Sequence, residues 1–191
     1  MPRITKPVEE RRQEIIDTAR RLFVANGFEK TQVADISKSM NVAHGLIYHY
    51  FKSKTDILFA VIDEMVIEET EDIRQSLYSN PGSALDGLKQ LLLNSRRYDR
   101  MIPQIMSNTA VKEYCENKMT VSALPQLLSL IERGNIDGSW HCEYPRETAI
   151  FILRGMSGVI SSLPPSGLEV FLNHEFGKII FRILGVESLP P

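Results

Sequence analysis

The stretch "NVAHGLIYHYFKSKTDIL", Asn41 to Leu58, brings two histidines, two tyrosines and two lysines together around a few aliphatic residues. On a helical wheel at about 100° per residue, His44, Gly45, Tyr48 and His49 fall in one arc. Ala43 and Ile47 lie opposite, with Leu46 and Tyr50 on the flanks. A core helix would not gather both imidazoles and a glycine on one side. A metal site fits poorly too: His44 and His49 are five apart rather than four, and no nearby Asp, Glu or Cys completes a ligand set. The segment also holds no nucleophile with an orienting acid. What remains is a surface. One side anchors the helix, and the other offers imidazole, phenol and bare backbone, with Lys52 and Lys54 following at once.

Outward from this stretch the periodicity is helical. Ile15, Ile16, Ala19, Leu22 and Phe23 follow the i, i+3, i+4, i+7 pattern, and Gly27 is a natural stop. A second helix fits Gln32–Met40, with Val33 and Ile36 turned inward and Asn41 in a tight left-handed turn. The third is Ala43–Tyr50. A fourth starts near Ser53, capped by its hydroxyl with Asp56 at the third position, and runs to about Tyr78 before "NPG". Ser83 caps "ALDGLKQLLLNS", and shorter pieces follow around 101–108 and 111–117. "SALPQLLSLIERG" reads as a helix with Pro125 near its start and Gly134 at its end. After the loop "NIDGSWHCEYP", the segments "RETAIFILRGMSGVISSL" and "LEVFLNHEFGKIIFRIL" form the last two helices. No segment alternates with period two. The expected fold is all-α: a three-helix head, with helix-turn-helix at about 32–51, and a helical bundle, about nine helices in all.

The chain has 191 residues, of which 43% are hydrophobic and 24% charged, as in a globular protein with a real core. Its longest apolar run, "ILFAVI" (57–62), is far too short for a bilayer span, and the first residues carry no secretory signal. Two cysteines, Cys115 and Cys142, do not make a disulfide framework, so a reduced, cytoplasmic protein without membrane partners is expected. Net charge is −2, but residues 1–54 hold ten Lys/Arg against six Asp/Glu, while the rest holds twelve against eighteen. A basic head on an acidic body suits a polyanionic partner at one end.

A short helix behind a tight turn, presented by a preceding helix, is the arrangement whose second helix enters the DNA major groove. Gly45 permits close approach. Tyr48 and Tyr50 can donate to phosphate or pack on thymine methyls, and His49 can reach phosphate or a base edge. Lys54 is expected to clamp a phosphate, with Thr31 adding a contact at the start of the second helix. "ARRLFVANGFEKTQVADISKSMNVAHGLIYHYFKSKTDIL" resembles the DNA-binding domain of the TetR family of bacterial transcriptional regulators. The resemblance rests on Ala19, Leu22, Phe23, Gly27, Phe28, Thr31, Val33, Asp35, Ile36, Val42, Gly45, Ile47, Tyr48, Tyr50, Phe51, Ser53, Lys54 and Leu58. Asn41 stands where the family usually has Gly, and Leu46 where it has Thr or Ser. Met40 and Gln32 are also less usual, Gln32 weakening the expected cap.

The resemblance implies a DNA-binding domain over residues 9–69 and a ligand-binding, dimerising domain over 70–191. It further implies a double-stranded operator, a small-molecule effector and a homodimer. Implied DNA contacts are Thr31, Gln32, His44, Gly45, Leu46, Tyr48, His49, Tyr50 and Lys54. Large or adaptable side chains near the irregular middle segments are candidate pocket residues: Tyr98, Met101, Met106, Tyr114, Trp140 and Phe151. Such residues also serve as plain core. By the same alignment, residues 145–185 hold two dimerising helices, with Ile152, Val159, Ile160, Phe171, Phe176 and Ile180 as interface candidates; a larger internal core would use the same residues. No metal, cofactor or catalytic group is expected. The rival reading is a helical small-molecule-binding or enzymatic protein with a non-functional head.

Overall fold

The computed structural model describes residues 7–79, 82–94, 109–164, 167 and 170–186, and all regular structure among them is helical. Its helices are α1 (Val8–Asn26), α2 (Val33–Ser39), α3 (His44–Tyr50), α4 (Lys54–Ser79), α5 (Ala84–Asn94), α6 (Thr109–Asp137), α7 (Pro145–Ser162) and α8 (Phe176–Ile183), the last preceded by a π-helical turn, Phe171–Glu175. Two compact units result: Met1–Met65 with Met101–Cys115, and Val66–Arg100 with Glu116–Pro191. The division thus falls inside α4, and the first residues of α6 group with the first unit.

In the first unit the buried residues are Ile15, Ile16, Ala19 and Phe23 of α1, Ile36 of α2, Ile47 of α3, and Ile57, Leu58 and Val61 of α4. Gly27 ends α1 at φ +85°, its N–H donating to Phe23 O at 2.9 Å. The end of α2 is a complete Schellman motif. Asn41 takes the left-handed position at φ +53°, its N–H donates to Lys38 O at 3.1 Å, and Val42 N–H donates to Ser37 O at 3.0 Å. Ser53 Oγ accepts from Asp56 N–H at 3.0 Å and so caps α4.

The second unit closes around Leu77, Leu88, Leu127, Ile131, Trp140, Ile152, Phe176, Ile180 and Phe181. Here α6 departs from the sequence expectation. It is one 29-residue helix that contains Pro125 and passes through Gly134. Pro125 is exposed on it. Gly134 is not a stop but a slot: a Cβ there would sit 1.9 Å from the Trp140 ring. The indole lies against α6 with its Nε1–H donating to Ile131 O at 2.9 Å. Asn135 pins the same loop, donating to Cys142 O at 2.8 Å and accepting from Cys142 N–H at 2.7 Å. At the other end, Gly185 (φ +74°) and Val186 close α8 with a second Schellman pair onto Arg182 O and Phe181 O.

The interface candidates need correction. Ile152, Phe171, Phe176 and Ile180 are buried in the core of their own unit, and Ile160 is packed against it. Only Val159 of the six is exposed. The outward apolar residues are offset by about one position: Ile150, Phe151 and Val159 on α7, Val170 ahead of the π turn, and Ile179 and Ile183 on α8. Gly155 and Gly158 share the outer side of α7, with open space where a Cβ would be.

Candidate DNA-binding face

Seven residues make too short a helix to stand alone, so α3 depends on its anchors. Ile47 is fully buried, which is worth about 1.5–3 kcal/mol. Phe51, just past the helix, is buried beneath the Arg12 guanidinium, 5.1 Å from its ring centroid. Asn41 sets the entry angle through the turn described above. The opposite side is open. Ala43, His44, Gly45 and His49 are exposed, Tyr48 is 50% exposed, and Leu46 and Tyr50 are half-buried at the flanks. Each imidazole sits edge-to-face on a tyrosine: His44 on Tyr48 at 5.2 Å and 79°, His49 on Tyr50 at 5.4 Å and 87°. No atom lies within 4 Å of where a Gly45 Cβ would be, so nothing inside the protein requires glycine there.

Two expected phosphate contacts are turned inward. Thr31 is fully buried, and its hydroxyl is within bonding distance of Gly27 O at 2.8 Å and Leu22 O at 3.3 Å, carbonyls at the end of α1. Lys54 reaches back over the α1–α2 loop. Its ammonium donates to Phe28 O at 2.8 Å, Thr31 O at 3.0 Å and Glu29 O at 3.4 Å, and lies 4.2 Å from the Phe28 ring centroid. An ammonium has three N–H donors, and all three are directed at the loop. Threonine and lysine therefore lock the connection that positions α2 and α3. Exposed cations do flank α3, namely Lys38 and Lys52. Gln32 is exposed at the start of α2, where the cap comes from Asp35, whose carboxylate accepts from Gln32 N–H at 2.8 Å.

Of the pocket candidates, Tyr98, Met101 and Met106 lie outside the described residues. Tyr114 belongs to the first unit, stacked on Phe59 at 4.2 Å and donating its hydroxyl to Asp63 at 2.7 Å. Burial, with the Asp63 bond and charge adding to it, pushes its phenol up to about 12. Trp140 is sealed in the core of the second unit, whereas Phe151 is 68% exposed on its surface. A recess of about 130 Å³ in the second unit is formed by other residues, including Arg74, Leu77, Ser129 and Arg133. Glu71, held near 2 chiefly by its hydrogen bond from Arg74, fixes that guanidinium on the surface. Among the described residues no cluster of His, Cys, Asp and Glu could hold a metal, and no helix is long and apolar enough to cross a membrane.

A rigid three-helix head that presents its third helix outward after a left-handed turn defines a helix-turn-helix protein. Residues 15–61 match the family model for bacterial regulatory proteins of the tetR family, so the head of the chain is similar to the DNA-binding domain of that family. The chain is 38% identical over 72 residues to the HTH-type transcriptional regulator HbdR of Aromatoleum sp. (strain CIB), a match covering 38% of this chain and 31% of that protein. To the HTH-type transcriptional regulator AcrR of Shigella flexneri it is 36% identical over 97 residues, covering 49% and 44%. The chain thus spans less than half the length of these curated relatives. Beyond the head the likeness is of fold. The crystal structure of RolR in complex with resorcinol superposes with a TM-score of 0.69 at 19% identity, covering 96% of each chain.

Proposed function

We propose that this chain is a DNA-binding transcriptional regulator, working as a homodimeric repressor that a small molecule releases from a pseudo-palindromic operator. The observation that carries the reading is the open side of α3: polar rings and a bare Cα on a helix held by one buried isoleucine and a locked loop. Such a surface gains nothing from the protein's own interior, and its composition suits a duplex. Dimerisation is supported by the outward apolar residues of α7 and α8. Phe151 and Val159 lie near two glycines on the outer side of α7 whose open Cα atoms let another helix come close, and Ile179 and Ile183 are exposed on α8. Two heads would then enter successive major grooves. The structural neighbour captured with resorcinol lends support to a small effector. Because α4 contributes residues to both units, a ligand preferring one body conformation could bias the head through it. A differential affinity of about 1–3 kcal/mol suffices for such coupling.

The test is a gel shift with the duplex flanking the chain's own gene, at near-physiological salt, beside light scattering to count chains. Retardation at nanomolar to low micromolar protein, by a species of two chains, is expected. Tyr48→Ala should lose most of that retardation while keeping its circular dichroism. Failure to bind any flanking duplex across this range would overturn the regulator reading.

A further inference from the structure

In the major groove, guanine is read bidentately by Arg or Lys and adenine by Asn or Gln, while Glu or Asp accepts from cytosine. None of these stands on α3, whose seven residues are HGLIYHY. The helix exposes two imidazoles, the Tyr48 ring and a bare Cα, with Leu46 at the flank. Its imidazoles are set edge-to-face on tyrosines, so much of what meets a partner is ring carbon. The base feature that suits such a surface is the thymine C5 methyl, the one methyl group on the major-groove edge.

Building on the DNA-binding reading above, we infer that this chain recognises its operator chiefly through thymine methyl groups, packed against the Tyr48 ring and Leu46. The exposed amides between residues 31 and 54, Gln32 and Asn41, lie outside α3. They can add adenine contacts at the margin of a half-site and not at its centre. Phosphate contacts from exposed lysines such as Lys52 set register without reading sequence. The half-site is therefore centred on T·A pairs, with any guanine contact left to the exposed imidazoles of His44 and His49.

The test uses the full chain. Duplexes are selected by gel shift from a pool with a randomised pseudo-palindrome, and the selected site is remade with deoxyuridine replacing each thymidine in turn. Loss of a methyl under α3 should weaken binding about fourfold, the equivalent of the transfer free energy of one buried methylene. Tyr48→Phe, which keeps the ring, should retain the uridine penalty, and Tyr48→Ala should lose it at one position. Leu46→Ala provides the same cycle at a neighbouring position should Tyr48→Ala fail to fold. Uridine tolerated throughout, a half-site anchored on guanine, or Tyr48→Phe behaving as Tyr48→Ala would each overturn the inference. Absence of binding to the whole pool would instead overturn the DNA-binding reading itself.

Discussion

Replacing Lys54 by methionine keeps the aliphatic stem and removes the ammonium. The lost contacts are three carbonyls at 2.8, 3.0 and 3.4 Å and the face of Phe28. A hydrogen bond from a charged donor contributes about 1.5–3 kcal/mol, and a cation over a ring about 0.5–1. These terms do not add in full. The ammonium is only half-buried, and Phe28 O still accepts from Thr31 N–H at 3.3 Å. A net cost of about 2–3 kcal/mol to the head follows, enough to lower its melting midpoint by about 8 °C or more. Far-UV circular dichroism on heating measures this. Below the transition, the slope of log affinity against log salt should match wild type, because no phosphate contact has gone. A phosphate clamp behaves oppositely: an unshifted melt with a slope shallower by about 0.9 for each head. That pair of results would refute the loop-lock argument.

Gly134→Ala drives a methyl into the Trp140 ring, which a Cβ would approach to 1.9 Å; overpacking by about 1–3 kcal/mol and red-shifted emission from the single tryptophan are expected. The Tyr114 phenol, raised from 10 to about 12, binds its proton more tightly folded than unfolded. Its contribution is thus complete below pH 10 and lost as pH rises through 12, so Tyr114→Phe should remove a component that ionises near pH 12 from an absorbance titration at 295 nm. Phe151→Glu should give a folded monomer by light scattering, since the side chain is 68% exposed within one chain. Ile180→Ala, fully inside the core, should instead cost about 2–5 kcal/mol in urea unfolding.

What could be read from sequence was local. The left-handed turn at Asn41, the Gly27 stop and the Ser53 cap each depend on a few adjacent residues, and the structure has all three. What could not be read depends on partners far along the chain. Lys54 beside α3 has the look of a phosphate ligand, yet its carbonyl partners lie 23 to 26 residues earlier. Gly134 imitates a helix end because the tryptophan that needs its space comes later and through a loop. On α7, Ile150 to Leu153 are four apolar residues in a row, so periodicity alone cannot phase the helix. Packing turned Ile152 and Leu153 inward and left Ile150 and Phe151 outside.

The vacancy beside Gly45 also bears on how this head could change over time. Alanine in its place would favour the helix by about 1 kcal/mol and collide with nothing internal. Selection for heat resistance alone should therefore fill that position early. The resulting head would be sturdier, and under the proposed DNA-binding function its added methyl would hold the groove floor at a distance. If α3 enters a groove as proposed, ruggedness and reach are opposed at this single carbon.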